Sequence, residues 1–325
     1  MRILKVEPAV YKYNNCRDFC EEFRIGKDDF IITNQSIYGE FLNDNTKESA
    51  VILAENYSTG SSSYKIVESI YESIKRISYE RVIAIGDALI LQIGKIFALK
   101  NICPVKDLFD QKMEILKEKE LVLVPAVLGY TTEMANICTL NFSSENSLKE
   151  LLEDELYADS TVLIPELLNL LSFKSFIAGS SDIFIQAVSL YVSPALTDYM
   201  RLFVEKSMSI ILNGYKKLAA EGKEYYINLF EEFILASNYI NTALSNINQN
   251  LINKADVILN YNILQDGDGC KYIFDFFKNF LISETDVSSL RLSNLISGIL
   301  QCSREDVYDN LTDIYKSILS QMSIV

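Results

Sequence analysis

The sequence predicts an α/β N-terminal domain followed by an all-α C-terminal domain, and three observations predict it. Short β-branched apolar runs alternate with helix-patterned segments between residues 28 and 127, which implies βαβ units and a mainly parallel sheet. Those runs are continuous, as expected of strands buried on both faces. Beyond VLIPELLNLL (162–171) such runs become rare and nearly every segment has helical spacing. The boundary is placed near Pro165, giving domains 1–163 and 164–325.

Taken in order, DDFIITN (28–34) is an apolar run ending in a turn residue, and SIYGEFL (36–42) reads as a helix. AVILAEN (50–56) is a second β-branched run. In SYKIVESIYESIKRI (63–77), Ile66, Ile70, Ile74 and Ile77 fall on one helical face with charges opposite. RVIAIG (81–86) is a strand ending in glycine, followed by an apolar helix to Lys100. LVLVPAV (121–127) is a further strand. The second half reads as helices over 173–192, 197–219, 224–254 and 272–281, then two shorter ones. QDGDGC (265–270) is its main break.

Composition narrows the function classes. The chain has 325 residues, 49% hydrophobic, enough for two domains with sizeable cores. Mean hydropathy of +0.11 marks a globular chain. A net charge of −14 repels phosphate backbones and anionic membrane surfaces, so neither nucleic acid nor membrane is expected as a partner. No stretch of 18 uncharged apolar residues is found and MRILKVEPAV lacks signal-peptide character, so a cytoplasmic location is expected. The six cysteines, Cys16, Cys20, Cys103, Cys138, Cys270 and Cys302, form no C-x-x-C pair and read as reduced, mostly buried thiols.

Histidine is absent altogether. That excludes a Ser-His-Asp triad, a Cys-His pair, an imidazole metal ligand and an imidazole proton shuttle.

RVIAIGDALILQIGK (81–95) has the strand–turn–helix form of a phosphate site, where glycines admit the phosphate and the helix N-terminus supplies positive potential. Only Gly86 stands at the turn, and Asp87 beside it carries the wrong sign for a pyrophosphate. As a lone signal this fits an ordinary core βα unit equally well.

Further segments supply context: ELVLVPAVLGYTTEMANI (120–137), residues 155–194 and SIILNGYKKLAAEGKEYYINLFEEFILASNY (209–239). Together they resemble the iron-containing alcohol dehydrogenase family, related in fold to dehydroquinate synthase. VYKYNNCRDFCEEFRIGKDDFIITN (10–34) resembles its 4-hydroxybutyrate dehydrogenase branch. The resemblance implies a Rossmann-like dinucleotide-binding domain and a helical domain holding metal and substrate. Against the family's phosphate loop, G-G-G-S-x-x-D-x-x-K, this chain keeps Gly86 and Lys95. It places Asp87, Ala88, Leu89 and Gln92 at the other positions. Against P-T-T-x-G-T-G-S-E it keeps Pro125, Gly129 and Glu133, with bulky Tyr130 where the cofactor needs room. Gly86, Lys95 and Gly129 are therefore read as vestigial cofactor-binding positions.

The resemblance also implies a metal bound by one aspartate and three histidines. Asp182 keeps the aspartate; Gln186, Asn253 and Gly267 stand where the histidines would be. No metal, no cofactor and no catalytic residue are expected. The resemblance also implies further C-terminal helices, so a shortened helical domain is expected. The first reading is thus a catalytically impaired relative, a pseudoenzyme with a binding or assembly role as a homodimer or a hetero-oligomer with a related protein. The alternative is a divergent NAD(P)-dependent oxidoreductase working without the histidine-bound metal, with Lys95, Tyr130, Glu133 and Asp182 as acid–base groups.

Overall fold

The computed structural model describes residues 4–57, 62–142, 148–247, 275–279, 281 and 287–322. The chain divides into two compact units. One comprises Val6–Val127 and Thr131–Leu170; the other comprises Met1–Lys5, Leu128–Tyr130 and Leu171–Val325.

The first unit is α/β and Rossmann-like. Its strands are β1 (Ala9–Lys12), β2 (Asp29–Thr33), β3 (Ala50–Leu53), β4 (Arg81–Gly86), β5 (Glu120–Pro125), β6 (Ile137–Asn141), β7 (Leu148–Leu152) and β8 (Ser160–Leu163). Six of them form a sheet in the order β1-β8-β5-β4-β2-β3, every pair parallel. β6 and β7 form a separate antiparallel pair. The continuous apolar runs serve two cores. Phe30, Ile32, Val82, Ala84, Leu121 and Leu123 point to one face. Their neighbours Ile31, Ile83, Ile85, Val122 and Val124 point to the other. Strand periodicity thus divides each run between two buried layers. At the amino ends, Arg81 fixes register by a bidentate pair with Asp29 at 2.7 and 3.1 Å.

The helices of this unit are α1 (Cys16–Glu22), α2 (Gln35–Ile37), α3 (Ser63–Ile74), α4 (Ala88–Phe97) and α5 (Val105–Phe109). α1, α2 and α4 each follow a strand, so their amino ends lie at the carboxyl edge of the sheet. Gly94 lets α4 approach β4: a Cβ there would lie 2.5 Å from that of Ala84.

The second unit is helical: α6 (Phe173–Val192), α7 (Asp198–Glu221), α8 (Phe230–Ser245), α9 (Val287–Leu300) and α10 (Val307–Met322). Ser172 and Thr197 cap α6 and α7 by accepting from the N–H of Ser175 and Met200. Between α6 and α7, the Tyr215 hydroxyl lies 2.6 Å from Ser180 Oγ and 3.2 Å from Ser181 Oγ. Gly214 gives room to the Phe233 ring of α8.

Several expectations need correction. β1, β6, β7 and β8 go unpredicted. β1 is an exposed four-residue strand with no apolar run to betray it, and β8 merges into the VLIP sequence. SIYGEFL contributes only part of a short helix, which passes into a π-helical turn over Tyr38–Leu42. α3 ends at Ile74, so Ile77 lies beyond the helix and is exposed rather than on its buried face. The helix expected over 224–254 begins as a 3-10 segment, Lys223–Leu229, before α8. Its later part and QDGDGC lie outside the described residues. Among the described residues, one helix, Phe173–Val192, is long and apolar enough to cross a membrane by length and composition. It carries Lys174 and Asp182, and 72% of its apolar window is buried within the protein. Cys16, Cys20 and Cys138 are buried; Cys103 and Cys302 are half-buried.

Candidate functional site

The turn from β4 into α4 is the sequence's best candidate for holding an anion. Its geometry is that of a closed cap. Asp87 is the N-cap of α4, and its Oδ1 accepts from the Ile90 N–H at 3.1 Å. The carboxylate therefore takes both the first-turn donor and the positive end of the helix dipole. Gly86 is not an open approach: a Cβ there would lie 2.5 Å from Ile90 Cδ1, so the isoleucine already fills that space. The neighbouring helix starts are served in the same way. The Gln35 N–H at α2 donates to Glu55 Oε1 at 2.7 Å, and the Cys16 N–H at α1 donates to Glu166 Oε2 at 2.7 Å. Glu166 also lines an open pocket of about 510 Å³ with Asp18, Glu21 and Glu40. The carboxyl edge of this sheet thus presents carboxylates where free backbone N–H groups would draw a phosphate. A pyrophosphate does not fit these residues.

Lys95 lies two turns further along α4 and is fully buried. Its Nζ donates to the carbonyls of Thr132, Ala135 and Ile137 at 2.7, 2.7 and 2.8 Å. Burial pushes its pKa down to about 8, with Cys138 and Glu133 acting in the opposite sense. Gln92 joins it, donating to Thr132 Oγ1 at 2.9 Å and accepting from the Thr139 N–H at 3.1 Å. Within the same segment the Thr131 hydroxyl donates to the Glu133 carboxylate, and Thr132 holds a φ of +60°. Lys95 and Gln92 are therefore the anchors of segment 131–139, and the lysine ammonium faces carbonyls.

Gly129 groups with the helical unit, apart from Gly86 and Lys95. Its φ is +121°, a conformation that side chains rarely adopt, and a Cβ would come within 3.1 Å of Asp182 Oδ2. Its carbonyl accepts from Ser237 Oγ and Asn241 Nδ2, each at 3.1 Å. Asp182 accepts from Gln186 Nε2 at 2.8 Å and from the Tyr130 backbone N–H. Burial raises the Asp182 pKa to about 7, against the pull of those two donors. Gln186 is 2% exposed, and its Oε1 has no hydrogen-bond partner among the described residues.

The structure thus brings Asp182 and Gln186 together one turn apart on α6, close to Gly129. Asn253 and Gly267 lie outside the described residues. Among the described residues no three His, Cys, Asp or Glu side chains group as metal ligands. Among the described residues, one carboxylate facing an amide N–H does not fit iron, which is held by several imidazole or carboxylate donors. Ser237 and Asn241 go unpredicted. Both are buried polar residues of α8, and their i, i+4 spacing on one helix face is the signal that would find them.

No family model matches the chain. Over 323 residues it is 32% identical to the 4-hydroxybutyrate dehydrogenase of Clostridium kluyveri, covering 99% of this chain and 87% of that protein. Its fold matches sulfoacetaldehyde reductase from Bifidobacterium kashiwanohense, solved in complex with NAD+, with a TM-score of 0.75 at 15% identity, covering 98% of this chain and 86% of that one. It also matches an iron-containing alcohol dehydrogenase from Thermococcus thioreducens, with a TM-score of 0.71 at 12% identity and coverage of 98% and 86%.

Proposed function

The chain belongs to the iron-containing alcohol dehydrogenase family, and on that premise we propose that it is a member without metal-dependent hydride transfer, retained for a binding or assembly role. The observation that carries this reading is the amino end of α4, where Asp87 takes the Ile90 N–H and Ile90 fills the space over Gly86. A dinucleotide would have to displace a carboxylate and an isoleucine to bring its phosphates to that helix. The absence of histidine extends the reading to the metal. Hydride transfer to an aldehyde is assisted by a Lewis acid, worth several kcal/mol in the transition state, and Asp182 with Gln186 makes a poor holder for one. The reading takes the protein to be cytoplasmic, without nucleic-acid or membrane partners given its net charge of −14. It acts as a homodimer or beside a related chain.

The test is calorimetric titration with NADH and NADPH, with and without Fe²⁺ or Zn²⁺. The expected outcome is no heat at millimolar nucleotide in any combination. Micromolar binding would overturn the reading in favour of a divergent NAD(P)-dependent oxidoreductase.

A further inference from the structure

A carboxylate removed from water needs either an opposite charge or hydrogen-bond donors. Among the described residues the donors to Asp182 are both neutral: the Gln186 amide at 2.8 Å and the Tyr130 backbone N–H. With Nε2 turned to the carboxylate, its hydrogens block ligation from that side, since an amide binds metal through its oxygen. The reverse orientation would set Oε1 against an oxygen of the ionised carboxylate, acceptor to acceptor. The local backbone is shaped around this pair. Gly129 holds a φ of +121°, and a Cβ there would crowd Asp182 Oδ2 at 3.1 Å. On the other side of the residue, Ser237 and Asn241 of α8 both donate to the Gly129 carbonyl. Next to it, Gly179 of α6 admits Leu128: a Cβ on Gly179 would lie 2.7 Å from the Leu128 carbonyl oxygen. Every one of these contacts lies within the helical unit and bears on residues 128–130.

We propose that the Gln186 amide stands in for a cation as the partner of Asp182, and that the pair clasps the backbone of residues 129 and 130 instead of holding an ion. The inference rests on the proposed loss of metal chemistry and assigns those two residues a task of their own. Gln186 is a positioning residue. It fixes Asp182, and Asp182 fixes the Tyr130 amide.

The experiment uses the full chain. Bound metal is measured by elemental analysis. Thermal midpoints are recorded with a chelator and with added Fe²⁺, Zn²⁺ or Mg²⁺, and amide exchange is followed at Tyr130. The wild type should contain no stoichiometric metal, and its midpoint should not respond to chelator or ion. Gln186→Ala and Gln186→His should each lower the midpoint by about 2–4 °C. Each should speed Tyr130 exchange about tenfold relative to other helical-unit amides. No added ion should restore either property. Asp182→Asn keeps an acceptor oxygen and should retain Tyr130 protection even if the Gln186 variants fold poorly. Stoichiometric metal with a chelator-sensitive midpoint would sink both the inference and the reading beneath it. A metal-free protein whose Tyr130 exchange is the same in wild type and Gln186→Ala, or lost in Asp182→Asn, would sink the inference alone.

Discussion

Replacing Lys95 by methionine keeps the apolar stem as far as Cε and removes the ammonium that donates to the carbonyls of Thr132, Ala135 and Ile137. Buried acceptors left unpaired are costly, so the variant should lose about 3 kcal/mol in urea unfolding. The deficit should depend on pH. Folded Lys95 gives up its proton at about 8 and the unfolded side chain near 10.5. Between those values the unfolded chain binds more protons, so Lys95 adds stability as pH rises. The gap between wild type and Lys95→Met should widen across that window and stay level below it. A gap that narrows would mean the charge is not buried as described. The sequence carried part of this. Lys95 stood out as a lysine on α4 and was read as a vestigial cofactor position; the carbonyls that receive it were not legible, because those sit some forty residues away and meet it only through the fold. Asp182 and Gln186 were legible as neighbours from their spacing of four, whereas the inward turn of the amide depends on three-dimensional packing.

Two elements have margins that single substitutions should expose. Asp87 is the N-cap of α4, so Asp87→Ala should lower stability by about 1 kcal/mol. On the proposed reading, the same substitution should create no nucleotide binding, because Ile90 still fills the space over Gly86. Gly94→Ala would push a methyl into Ala84 Cβ and separate α4 from β4. A loss of about 2 kcal/mol is expected from such overpacking, read as a lower midpoint in urea. An unchanged midpoint would show that helix and strand can part without cost. At this scale the sequence was most legible where burial is two-sided: β2, β4 and β5 announce themselves because both faces demand apolar residues. It was least legible at the edge, where β1 answers to neither core, and in the β6–β7 pair, whose outward positions include the exposed Leu148 and Leu152.

For the molecule as a whole, a net charge of −14 means the folded state concentrates like charge. The thermal midpoint should therefore rise by a few degrees between about 10 mM and about 200 mM NaCl, as screening relieves repulsion. A midpoint that falls with salt would show that attractive pairs such as Arg81–Asp29 dominate. The presence of a parallel α/β part and a helical part was readable from the change in hydrophobic period along the chain. The assignment of 128–130 to the helical unit was not readable, because three residues carry no period. Ile90 occupies the space that Gly86 leaves open, and Asp87 is bound to the amide of that same isoleucine. Changing Asp87 alone uncaps the helix and still leaves the space blocked. Shrinking Ile90 alone opens a hole in the core beside a carboxylate. Each single substitution toward an open helix end is therefore a loss before the second brings any gain, so the two side chains hold the turn shut as a latch that only a paired change releases.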